Sequence, residues 1–266
     1  MYAPRKPRPK ALSVLSLDLV PYSRALGLQR AAVRARREGR VPDTLLLLRH
    51  PPVITLGRRG DEGNILVPRE SLAERGIEVH RTERGGDVTY HGPGQLIGYP
   101  ILDLADHRKD VGWYMHSLEE VLVRTLRDLG ISGQRLPGHI GVWLDEQRKI
   151  ASLGVRIERW ITYHGFALNV DEESSHFSLI VPCGLVGRQM TSVEAVLGKP
   201  VDISRIREHV VSHFCGLFDL TVEEMDADEP LDPASLEEAL LGTSDGVHGR
   251  GGGSSDYVCQ GGRFVL

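Results

Sequence analysis

The chain has 266 residues, 41% hydrophobic and 26% charged, which excludes a disordered, collagen-like or low-complexity protein. A formal net charge of -4 at pH 7 lacks the basic excess of a protein built to coat nucleic acid. Three cysteines, a basic amino terminus with no apolar stretch behind it and no apolar run of membrane-spanning length lead us to expect a soluble cytoplasmic protein without a disulfide framework.

Charge divides the chain into segments. Residues 1–10 hold Arg5, Lys6, Arg8, Lys10 and three prolines, and read as a basic flexible arm. Residues 11–220 balance basic against acidic side chains and are expected to form one domain. From 221 to 240 every charged residue is acidic, around a helical pattern at 234–241, so 221–241 reads as an acidic helical extension. Residues 242–266, with Gly251, Gly252 and Gly253, form a glycine-rich tail.

Within 11–220 the hydrophobic period switches between two and about 3.6, which gives an α/β or α+β class, a mixed sheet flanked by helices. Residues 12–19 and 45–48 read as strands, and 22–38 between them as a helix with Leu26, Gln29, Ala32 and Val33 near one face. The other face carries Arg24, Arg30, Arg34, Arg36 and Arg37, which form either a solvated surface or a docking face for an acidic partner. A helix over 111–129 stacks Met115, Leu118, Leu122, Leu126 and Leu129, and Gly130 stops it. Along 149–158, Ala151, Leu153, Val155 and Ile157 alternate with Ile150, Ser152, Gly154 and Arg156, as in a strand with one buried face. A last helix sets Ile203, Ile206, Val210, Phe214 and Leu217 on one stripe. His209 and His213 have the spacing of two zinc ligands, but position 210 is valine and no third ligand is evident, so no metal is expected.

Three segments hold candidate chemistry. In 84–95 four glycines surround Thr89, His91 and Gln95, which suits close backbone approach to a ligand. The spacing matches neither a Walker loop nor a dinucleotide fingerprint, and no cofactor is expected. In the second segment, Lys149 opens a strand whose other face is small, and His164-Gly165 repeats the His91-Gly92 step. The third holds Cys183 between Pro182 and Gly184, with no bulky neighbour blocking its sulfur, which suits a nucleophile. Cys215 and Cys259 lack that context. A thiol with a pKa near 8.5 needs a nearby cation to ionise, and Lys149 is the candidate.

Taken together, these segments resemble the octanoyltransferases of lipoate biosynthesis, which are related to the catalytic domains of lipoate and biotin protein ligases. The resemblance covers roughly 12–200 and is carried by HPPVITLGRRGDEGNIL from His50, RGGDVTYHGPGQ from Arg84, KIASLGVRI from Lys149, YHGFALNV from Tyr163 and PCGL from Pro182. It implies a biotin/lipoate ligase-like fold and transfer of an octanoyl or lipoyl group from acyl carrier protein to a lysine of a lipoyl domain through a cysteine thioester. The acceptors implied are the lipoyl domains of 2-oxoacid dehydrogenases and the glycine cleavage H protein, and the protein is expected to be a monomer.

By the same resemblance Cys183 is the nucleophile and Lys149 its activator. The acceptor amine needs a base, for which neutral Lys149 is the first candidate, His91 the second and His164 the third. Substrate contacts fall on Arg84, Gly85, Gly86, Asp87, Val88, Thr89, Tyr90 and His91, on Ser152, Leu153 and Gly154, and on Gly165, Phe166 and Ala167. An octanoyl chain would need an apolar slot, floored by small residues such as Gly86, Gly154 and Gly165. Three alternatives stay open: an ATP-dependent lipoate or biotin ligase, octanoyl transfer between lipoyl-bearing proteins, and a non-catalytic module that binds carrier proteins or lipoyl domains.

Overall fold

A computed structural model describes residues 10–171, 173–181 and 188–224. The glycine-rich tail, the helical pattern at 234–241 and all of the basic arm except Lys10 lie outside the described residues.

The run of four leucines at 45–48 shows how the core is organised. In β2 (Asp43–Arg49) they alternate between two hydrophobic clusters, Leu45 and Leu47 in one, Leu46 and Leu48 in the other. Such a strand is covered on both faces. It lies between β1 (Lys10–Leu19), which is parallel to it, and β6 (Gln95–Ile101), which is antiparallel. Next come β10 (Ile161–Asn169), β9 (Arg148–Glu158), β8 (His139–Trp143) and β7 (Gln134–Leu136), all antiparallel; β11 (Gln189–Met190) pairs in parallel with β9. At the other edge β12 (Leu220–Glu224) runs parallel to β1. Residues 221–224, assigned by charge to the acidic extension, are therefore strand, because Leu220 and Val222 bring apolar side chains to the core beside β1. Lys10 likewise opens β1 instead of ending an arm.

One face of the sheet is covered by α3 (Val111–Asp128) and α5 (Ile203–Phe218), which bury Tyr114, Leu118, Leu122, Leu126, Ile206, Val210 and Phe214. Tyr114 is fully buried, whereas the expected Met115 is only half-buried. Cys215 is buried in the same core. His209 and His213 both face Asp128, at 3.4 and 2.6 Å, and tie α5 to α3. The other face is covered by α1 (Tyr22–Arg37) through Ala25, Leu28 and Ala32.

The arginine face of α1 is solvent-exposed at Arg30, Arg34 and Arg37, but its guanidinium groups are engaged within the chain. Arg36 pairs with Asp43 and Asp106 at 2.8 and 2.6 Å, Arg30 with Glu83 at 2.5 Å and Arg37 with Glu158 at 3.0 Å; Arg24 and Arg34 are also engaged. These arginines fasten the helix to the sheet.

A second sheet sits beside α1, with β3 (Val53–Leu56) between β4 (Glu78–Arg81) and β5 (Val88–His91). Ile54, Leu56, Leu72, Val88 and Tyr90 form its own small core with Phe177, Leu179 and Ile180.

In the large sheet β6 and β10 approach so closely that a Cβ on Gly165 would stand 2.2 Å from the carbonyl oxygen of Gly98. Both partners are strand backbone and neither can yield cheaply. Gly165→Ala is therefore expected to lower unfolding free energy by about 1–3 kcal/mol; an unchanged urea midpoint would contradict this packing.

Candidate active site

The glycine-rich loop between β4 and β5 is built around Arg84. Its guanidinium is buried and donates inward, from Nε to Thr55 Oγ1 at 3.1 Å, from Nη2 to the carbonyls of Thr55 at 2.7 Å and Asp87 at 2.8 Å, and from Nη1 to Gly85 O at 3.0 Å. Asp87 is similarly committed, accepting from Asp61 N–H at 3.0 Å and Asn64 Nδ2 at 2.6 Å. The segment after β3 braces the loop from behind, since the N–H groups of Gly57, Arg58 and Arg59 donate to Asp87 O, Arg84 O and Gly86 O. In front, Gly85 N–H donates to Val155 O on β9 at 2.9 Å, and a Cβ on Gly154 would lie 2.9 Å from Gly85 O. Gly86 sits at φ +94°, where other residues are strained.

A pocket opens between this loop and the large sheet. Arg84, Gly86, Thr89 and His91 line it from the small sheet, and Ser152, Leu153 and Gly154 with Gly165, Phe166 and Ala167 line it from β9 and β10. The three segments expected to contact substrate thus meet at one place. Within the first of them, Gly85, Asp87, Val88 and Tyr90 do not line the pocket. Strand alternation explains the last two, because Val88 and Tyr90 point into the small core while Thr89 and His91 point out of it.

Tyr22, Tyr99 and His164 complete the lining. Neither tyrosine stood out in the sequence, because each falls within an otherwise ordinary apolar pattern. A polar-tipped aromatic in such a run was the available signal. Tyr22 donates to Thr82 Oγ1 at 2.9 Å, and burial raises the pKa of both phenols. His164 holds a positive φ of 55° inside β10, and its N–H is taken by Gln29 Oε1 of α1 at 2.8 Å.

Three imidazoles cluster here and all are neutral at physiological pH. Burial pushes His50 down to about 4, and His91 and His164 to about 3. For His91, the positive field of Arg84 adds to the effect. Hydrogen bonding assigns the tautomers. His50 Nδ1 faces the carbonyl of Val20 at 2.6 Å and must donate, so Nε2 accepts from Tyr99 OH at 2.7 Å. Gln95 Nε2 donates to Tyr90 O and Asn169 Oδ1, so its Oε1 accepts from His91 Nδ1 at 3.0 Å and leaves His91 Nε2 as an acceptor.

Lys149 is 4% exposed, with Nζ 5.1 Å from the centroid of the Trp143 ring. The guanidinium of Arg188 lies 4.9 Å from the same ring. Strict alternation would give Lys149 the orientation of Ala151 and Leu153. The β8–β9 register, however, shifts by one residue between Val142↔Ala151 and Trp143↔Lys149, and the consecutive Ile150 and Ala151 both enter the core. This bulge removes the equivalence. Lys149 lies on the strand that carries Ser152 and Gly154 but does not itself line the pocket.

A hydrogen-bond chain connects it to His91. It runs from His91 through Gln95 to Asn169, whose Nδ2 donates to Thr191 O at 2.9 Å; Thr191 N–H donates to Lys149 O at 2.9 Å. Cys183 lies outside the described residues, as do 182–187. On either side of that segment, Val181 N–H donates to Asn64 O at 2.8 Å, and Met190 pairs with Lys149.

Residues 21–215 match the lipoyl protein ligase A/B catalytic domain. An octanoyltransferase of Roseiflexus sp. is 46% identical over 213 residues, covering 79% of this chain and 89% of that protein. One from Acidobacterium capsulatum is 51% identical over 195 residues, 69% of this chain and 79% of that protein. The chain belongs to the octanoyltransferase family. It is an acyltransferase that acts in protein lipoylation through octanoyl transfer. Among solved structures, lipoate-protein ligase A bound with ATP superposes with a TM-score of 0.68 at 17% identity, covering 87% of this chain and 94% of that one. A bipartite lipoate protein ligase from Thermoplasma acidophilum gives 0.66 at 17% identity, covering 88% and 92%. At such identities these likenesses show the shared fold alone.

For this octanoyltransferase-family chain, neutral buried histidines have a consequence for stability. Each folded-state pKa lies below the ordinary 6.5, so as pH falls through 6.5 the unfolded chain takes up protons that the folded chain refuses. Stability present above pH 6.5 is therefore lost as pH falls from about 6.5 to about 4 for His50 and to about 3 for His91 and His164, by about 2 kcal/mol per histidine at about pH 5. Urea unfolding across this range should show the loss, and a flat profile between pH 7 and 5 would contradict the neutral cluster.

Proposed function

We propose that the protein moves an octanoyl group from acyl carrier protein to a specific lysine of a lipoyl domain, through a thioester on Cys183. The observation that supports this reading most is the convergence of the segments at 84–91, 152–154 and 165–167 on one pocket, with the buried Lys149 on the same strand as its β9 wall. Lys149 and Arg188, flanking one indole, make an electropositive neighbourhood of the kind that favours a thiolate over a thiol.

In the first step the Cys183 thiolate attacks the carbonyl of the donor thioester and the donor's C–S bond breaks. The carrier's sulfur leaves as a thiol after taking the proton of the Lys149 ammonium, which becomes neutral. One thioester replaces another of similar energy, so neither ATP nor a cofactor is needed. In the second step the acceptor lysine's amine attacks the enzyme thioester; the C–S bond breaks, an amide forms and the amine's proton is taken up. An amine of pKa near 10.4 is almost wholly protonated at neutral pH and needs a base. Lys149 in its neutral form serves that role. With a pKa of about 3, His91 is a weak proton store, and its Nε2 is better suited to orient a donor than to keep a proton.

The pocket interior suits an apolar acyl chain. Its histidines are uncharged, its one arginine is tied to the loop backbone, and Gly86, Gly154 and Gly165 keep its walls thin. On this reading the acceptors are the lipoyl domains of 2-oxoacid dehydrogenases and the glycine cleavage H protein, and the protein works in the cytoplasm as a monomer.

Intact-mass measurement after mixing the protein with octanoyl carrier protein, without ATP, tests the proposal. An octanoyl adduct is expected on the wild type, absent from Cys183→Ala and discharged by an unmodified lipoyl domain. An adduct that persists in Cys183→Ala, or transfer that requires ATP, would contradict it.

A further inference from the structure

We propose that the turn carrying Arg58 and Arg59 is the docking point for a donor protein of acidic surface, an inference that rests on the acyl-transfer reading above. The turn spans 57–60 and is closed by Gly60 N–H donating to Gly57 O at 2.8 Å. It is fixed back to back with the pocket loop, since Arg58 N–H donates to Arg84 O at 3.0 Å and Arg59 N–H to Gly86 O at 3.1 Å. Arg84 and Gly86 themselves line the pocket. There is little freedom in this contact, because a Cβ on Gly57 would stand 2.4 Å from Gly86 O. The backbone of the turn is thus held while both arginine side chains are exposed.

Among the described residues neither guanidinium has an ion-pair or hydrogen-bond partner. The carboxylates around the turn are committed elsewhere. Asp61 accepts from Gly63 N–H, Glu62 pairs with Arg69 and Arg81, and Asp87 holds Asp61 N–H and Asn64. The arginines of α1, which the sequence offered as either a solvated surface or a docking face, are engaged within the chain. Two exposed positive charges on a held turn beside the pocket, without partners among the described residues, would speed encounter with an acidic surface and orient it, and a preformed turn loses little backbone freedom on binding. A donor seated there presents its thioester arm to the pocket edge at Arg84 and Gly86.

The test compares two donors on the full chain, octanoyl carrier protein and the small thioester octanoyl-N-acetylcysteamine, by the rate of acyl-enzyme formation. In R58E/R59E, kcat/KM for the carrier donor should fall about tenfold or more, with the wild-type advantage shrinking at high salt. The rate with the small thioester should stay within about twofold, and R58K/R59K should keep most of the carrier-dependent rate. Equal losses with both donors, or an undiminished rate with the carrier, would overturn the docking assignment. A wild-type chain acylated by neither thioester would overturn the acyl-transfer reading, and this proposal with it.

Discussion

Removing an ammonium group from water costs several kcal/mol unless the surroundings compensate, and the arrangement around Lys149 follows from that constraint. The face of Trp143 offers its electron-rich ring. Gly141 stands where any side chain would collide, a Cβ there lying 2.5 Å from Lys149 Cε. The bulge in β9 frees the lysine from the orientation of Ala151, and the pairing of β11 returns the chain beside it after the cysteine segment. Sheet irregularity, a glycine and an indole thus serve one charged side chain.

The pocket follows the opposite rule and keeps charge out. Arg84 is its one cationic lining residue, and that charge is answered by carbonyl and hydroxyl oxygens of its own loop and of Thr55. The imidazoles are neutral because burial favours the uncharged form. A neutral interior adjoining an electropositive strand start suits a substrate with an apolar tail and a polarised carbonyl. The hydrogen bonds from His91 through Gln95 and Asn169 to Thr191 join the two regions.

Much of this was legible in the sequence, and for identifiable reasons. The helices over Tyr22–Arg37, Val111–Asp128 and Ile203–Phe218 and the strands around 12–19, 45–48 and 149–158 follow hydrophobic periodicity, which reports burial directly. The motif segments of the pocket were legible through the family resemblance, and 84–95 also through its four glycines set among Thr89, His91 and Gln95. What composition misjudged was the use of charge. The arginines of α1 read as a solvated or docking face, and Arg30, Arg34 and Arg37 are indeed exposed, but composition did not show that Arg30 and Arg37 pair with the distant Glu83 and Glu158. Acidity at 221–224 hid a strand whose pairing partner, β1 (Lys10–Leu19), lies far earlier in the sequence. Tyr22 and Tyr99 were missed because a polar-tipped aromatic in an apolar run is a weak signal, and their place in the pocket depends on how α1 and β6 are brought together.

The central claim is that the charge of Lys149 acts on the sulfur of Cys183. Site-resolved alkylation of Cys183 by iodoacetamide, followed by mass spectrometry across a pH series in the wild type and in Lys149→Ala, tests it most directly. The account predicts an inflection below the ordinary thiol value of about 8.5 in the wild type that moves upward when the lysine is removed. Superimposable profiles in a variant that still folds would contradict it.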